Sequence, residues 1–190
     1  MPQPDHIMAL AVPAPDAVDE DIKVMFAKCQ AKLGLVPYVL RAYSKRPQRL
    51  RNFTQMYNEL MLGPSGLSKL EREMIAVVVS SANRCYYCLV AHGAAVRELS
   101  GDAELGEMMA FNYRVARLDA RQRVMLDLAW KLTTTPENVG DDDRAALAAA
   151  GFSEDDVFDI CETVGFYNMT NRMAHGLDMM PNPDYHRQAR

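Results

Sequence analysis

Apolar residues recur along the chain at three- and four-residue intervals, and almost nowhere in strict alternation. That period places apolar side chains on one face of an α-helix and predicts an all-helical chain. The only β-branched run, Ile75 to Val79, lies inside a longer apolar stretch with no turn to make a hairpin. A first helix is expected over about Asp19 to Gly34, opening on acids and stopping at glycine. Pro37 and Pro47 each suit the start of a following helix. Ser68 with Glu71 three positions later is a capping-box pattern, predicting a helix that runs to about Ser81. Asn83 then reads as the N-cap of a new helix beginning at Arg84 and ending at Ser100–Gly101. Three more helical stretches follow, each with an acidic or hydroxyl start and a glycine stop. Residues 1–18 and 181–190 have no such period and are expected to be irregular arms on a single domain spanning 1–190.

The block from Ser68 to His92 is echoed by Ser153 to His175, both ending Ala-His-Gly. The echo suggests two related helical halves, of which only the first carries a close cysteine pair.

A hydrophobic content of 49% with 24% charged residues is that of an ordinary globular chain. The formal net charge of −4 supplies no long-range attraction to nucleic acid or an anionic membrane. No apolar run approaches the roughly 20 residues of a membrane span. The first residues, acidic and proline-rich, lack the pattern of a secretory signal, so a cytoplasmic, thiol-reducing location is expected. In such a compartment a close cysteine pair suggests catalysis or metal binding rather than a structural bridge. Cys29 and Cys161 read as small core residues.

The chemistry concentrates in "NRCYYCLVAHG", residues 83 to 93. Cys85, Cys88 and His92 fall on one helical stripe, with Cys85 expected in the first turn, where free N–H groups and the helix dipole favour a thiolate. A closed zinc site wants four ligands, and only three stand at metal-like spacing, so no metal is expected. Covalent haem attachment requires histidine directly after the second cysteine, where Leu89 stands. A thioredoxin-type pair would follow a strand in a βαβ pattern that this chain lacks. A buried structural pair with a core histidine remains the plain alternative.

Glu73 to His92 reads E-x11-C-x2-C-x3-H. This resembles the signature of the alkylhydroperoxidase D family, within the carboxymuconolactone decarboxylase-like superfamily. The flanking text from about Leu33 to Tyr185 is similar to a branch of uncharacterised peroxidase-related enzymes. The resemblance implies an all-α alkylhydroperoxidase D-like bundle and a thiol peroxidase: Cys88 attacks the peroxide, Cys85 resolves the sulfenic acid as a disulfide, and Glu73 and His92 relay protons. It also implies no bound cofactor, an external dithiol reductant of lipoamide or thioredoxin type, and a homo-oligomer between dimer and hexamer. Glu73, followed by "MIAVVV", reads as a buried carboxyl of raised pKa. One departure stands out: Tyr87 occupies the position of a family histidine. Tyr86 and Tyr87 are therefore expected to line the pocket or relay weakly, and dithiol–disulfide exchange becomes the alternative activity. A lactone decarboxylase, the superfamily's other branch, would not need the cysteines.

Overall fold

A computed structural model describes residues 3–190. Nine α-helices and no strands occur among them. They are α1 (Glu20–Leu33), α2 (Tyr38–Tyr43), α3 (Pro47–Tyr57), α4 (Lys69–Ala82), α5 (Tyr86–Ser100), α6 (Ala103–Asn112), α7 (Ala120–Thr134), α8 (Asp141–Ala149) and α9 (Glu154–Gly176).

Helix α4 is the hub. Every residue from Glu71 to Ser80 is buried, and α5, α6, α7 and α9 all pack around it. A helix apolar on all sides belongs in a core rather than at a surface, and Ile75–Val79 are helical because that burial outweighs their strand preference. The wrapping side chains include Met109, Met125, Leu126, Ile160 and Val164. A second, smaller core of Val18, Ile22, Phe26 and Leu50 joins α1 to α3.

The predicted starts and stops are largely those observed. Gly34 and Gly101 close α1 and α5 in the left-handed region, at φ 73° and 68°. Pro37 precedes α2 and Pro47 opens α3. The Ser68–Glu71 capping box is complete, and Ser153–Asp156 caps α9 in the same way. Helix α3 ends in a π-turn, Asn58–Leu62. Its carbonyls are satisfied from α4: the buried Arg72 donates to Leu60 O at 2.9 Å and Gly63 O at 3.0 Å.

Three expectations differ from the structure, the first being the cysteines expected in the core: Cys161 is exposed and Cys29 only half-buried. The echoed blocks share capping boxes, but α9 runs unbroken for 23 residues where the first block divides into α4 and α5. The expected C-terminal arm contains a 3-10 turn, Pro183–His186, pinned by the buried Arg97, which donates to Tyr185 O (2.8 Å) and Gln188 O (3.0 Å).

Ser68→Ala, which removes one half of the α4 capping box, is expected to lower stability by about 1 kcal/mol. Leu126→Ala, at a fully buried hub contact, should lower it by about 2–5 kcal/mol in urea unfolding.

Candidate active site

The cysteine pair sits where α4 hands over to α5. Asn83 caps the end of α4, Arg84 is left-handed at φ 55°, and Cys85 is the N-cap of α5. Cys85 N–H donates to Ser80 O (2.9 Å) and Arg84 N–H to Ser81 O (3.0 Å), the two bonds of a Schellman motif. The expected start of α5 is thus corrected by two residues: Asn83 closes one helix instead of opening the next, because Arg84 takes the turn position usually held by glycine. Cys85 precedes the first helical turn, and Cys88 lies within it.

Both sulfurs are buried, with Cys85 1% and Cys88 3% exposed. Their surroundings are Met8, Ala42, Tyr87, Ala174 and Met179, with Ile7, Val12 and Leu177 packed beside them. The cover comes from the expected N-terminal arm and from residues 177–180, which follow α9 ahead of the expected C-terminal arm; the two segments run antiparallel, with Ala9 N–H donating to Leu177 O (2.8 Å) and Met180 N–H to Ile7 O (3.0 Å). His6 and Asp178 add an ion pair at 2.9 Å.

Glu73 and His92, expected as partners from two different helices, meet. His92 Nδ1 donates to Glu73 Oε2 at 2.7 Å, and Glu73 is 7% exposed. A carboxylate only accepts, so this bond leaves Nε2 as the basic nitrogen of the neutral ring. The edge of His92 packs against Tyr167, centroids 4.7 Å apart. The buried Tyr167 hydroxyl has no hydrogen-bond partner among the described residues.

The two tyrosines do other work. Tyr87 is buried, and its hydroxyl accepts from Val39 N–H at 2.9 Å, satisfying an amide at the start of α2. Tyr86 is 46% exposed and bonds His186 and Gln3 in the arms. Neither hydroxyl joins the Glu73–His92 pair.

The thiols titrate as one system. Cys85 is lowered to about 7, chiefly by a hydrogen bond from the Cys88 thiol, helped by the Cys88 backbone N–H, His175 and His92 against the effect of burial. Cys88 is held well above the ordinary thiol range by its bond to Cys85 and by burial, while Asn171 and Ser80 act in the opposite sense. Two neighbours thus escaped sequence reading, Ser80 and Asn171, while His175 stood there only as the end of the echoed block. His175 Nε2 donates to Asn83 O at 3.0 Å, bracing the helix junction. The available signal was Asn168 and Asn171, two amides three residues apart in α9, beside the buried Val164, Tyr167 and Ala174. Among the described residues no cluster of three His, Cys, Asp or Glu side chains is placed to hold a metal. No helix there is long and apolar enough to cross a membrane.

The fold that carries this site has solved counterparts. The sequence profile described as the carboxymuconolactone decarboxylase family matches residues 47–113. The structure of an uncharacterized peroxidase-related protein from Silicibacter sp. TM1040 is 56% identical over 100% of both chains, with a TM-score of 0.96. That of an alkylhydroperoxidase AhpD core, an uncharacterized peroxidase-related protein from Ralstonia eutropha JMP134, is 37% identical over 98% of both chains, with a TM-score of 0.95. The chain belongs to the alkylhydroperoxidase D/carboxymuconolactone decarboxylase-like superfamily. The superfamily fold also holds the debrominase Bmp8, at 18% identity, 96% coverage of this chain and 94% of that one, with a TM-score of 0.78, a likeness of fold alone. No functionally curated protein matches the sequence.

Two outcomes are expected at the junction. Arg84→Gly should hold or slightly raise the stability measured by urea unfolding, since glycine takes φ of 55° without strain, whereas Arg84→Val should lower it by about 1–2 kcal/mol. Alkylation of Cys85, followed by peptide mass spectrometry, should rise with pH through a midpoint near 7. A lowered thiol loses its proton earlier on raising the pH, so a midpoint near 9 would contradict the assignment.

Proposed function

We propose that this chain is a thiol-dependent peroxidase that reduces hydroperoxides through a Cys85/Cys88 dithiol–disulfide cycle, with Glu73 and His92 as its proton relay. The observation that carries the reading is the 2.7 Å Glu73–His92 bond, made between α4 and α5 next to the two buried sulfurs.

In this reading the relay takes the Cys88 proton, and the Cys88 thiolate attacks the terminal oxygen of ROOH. The O–O bond breaks, an S–O bond forms, and the departing RO⁻ takes the relayed proton to leave as ROH. The unpartnered Tyr167 hydroxyl beside His92 is a donor available to the peroxide oxygens. Cys85 then displaces hydroxide from the sulfenic acid, which leaves as water with the Cys85 proton, giving the Cys85–Cys88 disulfide. An external dithiol, of lipoamide or thioredoxin type, returns two electrons and two protons. The three-residue spacing within the first turn of α5 favours such a closure.

The burial of both sulfurs implies that the reductant gains access when the segments over the pair move aside. The same reading places the protein in a thiol-reducing cytoplasm and includes self-association, for which Phe111, Phe158 and Met173 supply exposed apolar surface. Dithiol–disulfide exchange with another protein is the second reading. It is favoured by one observation: Tyr87, standing where relatives of known activity are expected to carry histidine, has its hydroxyl engaged with Val39 N–H and adds no base.

With cumene hydroperoxide and excess dithiol, wild type should consume peroxide catalytically and Cys88→Ser should not. Glu73→Gln should lower the second-order rate about a hundredfold or more. Equal slow rates for wild type and Cys88→Ser would exclude the peroxidase. One equivalent of peroxide should yield the Cys85–Cys88 disulfide by mass spectrometry.

A further inference from the structure

The Cys88 sulfur has two neutral polar neighbours that the Glu73–His92 relay does not use. Asn171 on α9 and Ser80 on α4 are both fully buried at the cysteine junction, where Ser80 O accepts the Cys85 N–H at 2.9 Å, and both side chains act to lower the Cys88 thiol. Asn171 Nδ2 donates to Ser80 Oγ at 3.0 Å. With its oxygen accepting there, the Ser80 hydroxyl has its proton left to donate.

What makes the pair informative is that the amide directions are forced. Asn168 Nδ2 donates to Val164 O at 3.0 Å, and a carbonyl has no proton to give back. Arg172 Nη1 donates to Asn168 Oδ1 at 2.8 Å, and a guanidinium cannot accept. These two one-way contacts fix Asn168 with its oxygen towards Asn83. Asn83 Nδ2 must then be the donor, to Asn168 Oδ1 at 3.0 Å and to Asn171 Oδ1 at 2.9 Å. Asn171 is left with its oxygen occupied, one N–H donated to Ser80 Oγ, and a second N–H to spare. The chain of three amides therefore transmits a polarity from the surface of α9 to the interior, and a flipped Asn171 would set its N–H donors against those of Asn83.

We propose that Asn171 and Ser80 are catalytic donors that stabilise negative charge on the Cys88 sulfur, and that Asn168, Asn83 and Arg172 are positioning residues that aim them. The inference rests on the peroxidase reading, in which Cys88 is the attacking atom. It resolves a conflict within that reading. The start of α5 favours the charge on Cys85, since the Cys88 N–H and the Cys88 thiol both point there. Attack by Cys88 needs the shared proton on the other sulfur. Donors on the Cys88 side favour that arrangement, and being neutral they add no charge to be neutralised inside the core. Hydrogen bonding to a thiolate also blunts it as a nucleophile, with a Brønsted slope of about 0.4–0.5. Where Cys88 is mostly protonated, tenfold more thiolate is thus offset by about a threefold loss of intrinsic rate, and the donors still gain about threefold.

The test is the ultraviolet thiolate titration of Cys88 in a Cys85→Ser background, taken as the difference from Cys85→Ser/Cys88→Ser to remove Cys29 and Cys161. The other titratable neighbours of Cys88 are Tyr43, Tyr87 and Tyr167, all raised by burial, with the Glu73–His92 pair unchanged across the series. Ser80→Ala and Asn171→Leu should each move the midpoint upward by about one pH unit, roughly tenfold less thiolate at neutral pH. Arg172→Gln, at the exposed end of the chain of amides, should move it in the same direction by less. Folding of each variant is read by circular dichroism; if Asn171→Leu does not fold, Ser80→Ala decides. A folded Ser80→Ala with the parent midpoint overturns the proposal. Peroxide consumption by the wild type is a separate readout: its absence beside a shifted titration sinks the peroxidase and keeps the donors, while a flat titration sinks the donors whatever the peroxide does.

Discussion

Helix α4 is buried on every side, and a helix of that kind exists only inside a wrapping of others. The rest of the molecule answers to this constraint. Four helices surround it, the carbonyls of the preceding turn are drawn onto its Arg72, and its end has to reverse direction without leaving the core. The reversal falls on one left-handed residue, Arg84, whose long side chain lies in solvent. Because the same two bonds that end α4 also fix the N-cap of α5, the position of Cys85 is a by-product of closing the hub helix. The carboxylate of the proposed relay, Glu73, comes from the hub itself, so packing of the core and registry of the site are one problem.

At the site, two opposed sets of donors act on two sulfurs. The first turn of α5 pulls charge towards Cys85; buried amide and hydroxyl groups from α9 and α4 pull it towards Cys88. Neither set carries a formal charge. In a pocket this dry a lysine or arginine would hold the thiolate more strongly, but would need its own counter-ion. Hydrogen bonds of ordinary strength, each about 1–3 kcal/mol to a charged group, suffice to move a shared proton between equivalent thiols.

Much of the architecture was legible because helix punctuation is local. The Ser68–Glu71 box, Pro47 and Gly101 each act within a few residues, and each appears where its pattern stood. The pairing of Glu73 with His92 was legible through resemblance to a family motif; spacing alone would not bring two helices together. The α4–α5 junction was misread because Asn83 suits both ends of a helix and arginine gives no warning of a left-handed turn. Asn171 and Ser80 were missed for a different reason. They come from elements 91 residues apart, and nothing local distinguishes an amide that faces a sulfur from one that faces water.

The cover over the cysteines joins residues 7–9 to residues 177–180. Closing so long a loop carries a large entropic cost, though the dependence on length is only logarithmic. The cover residues 177–180 directly follow α9, so a chain being made can close it only once α9 has been made, and until then its dithiol is open to whatever oxidant is at hand. The order in which the parts assemble gives the young protein a chemistry that the finished one keeps shut away.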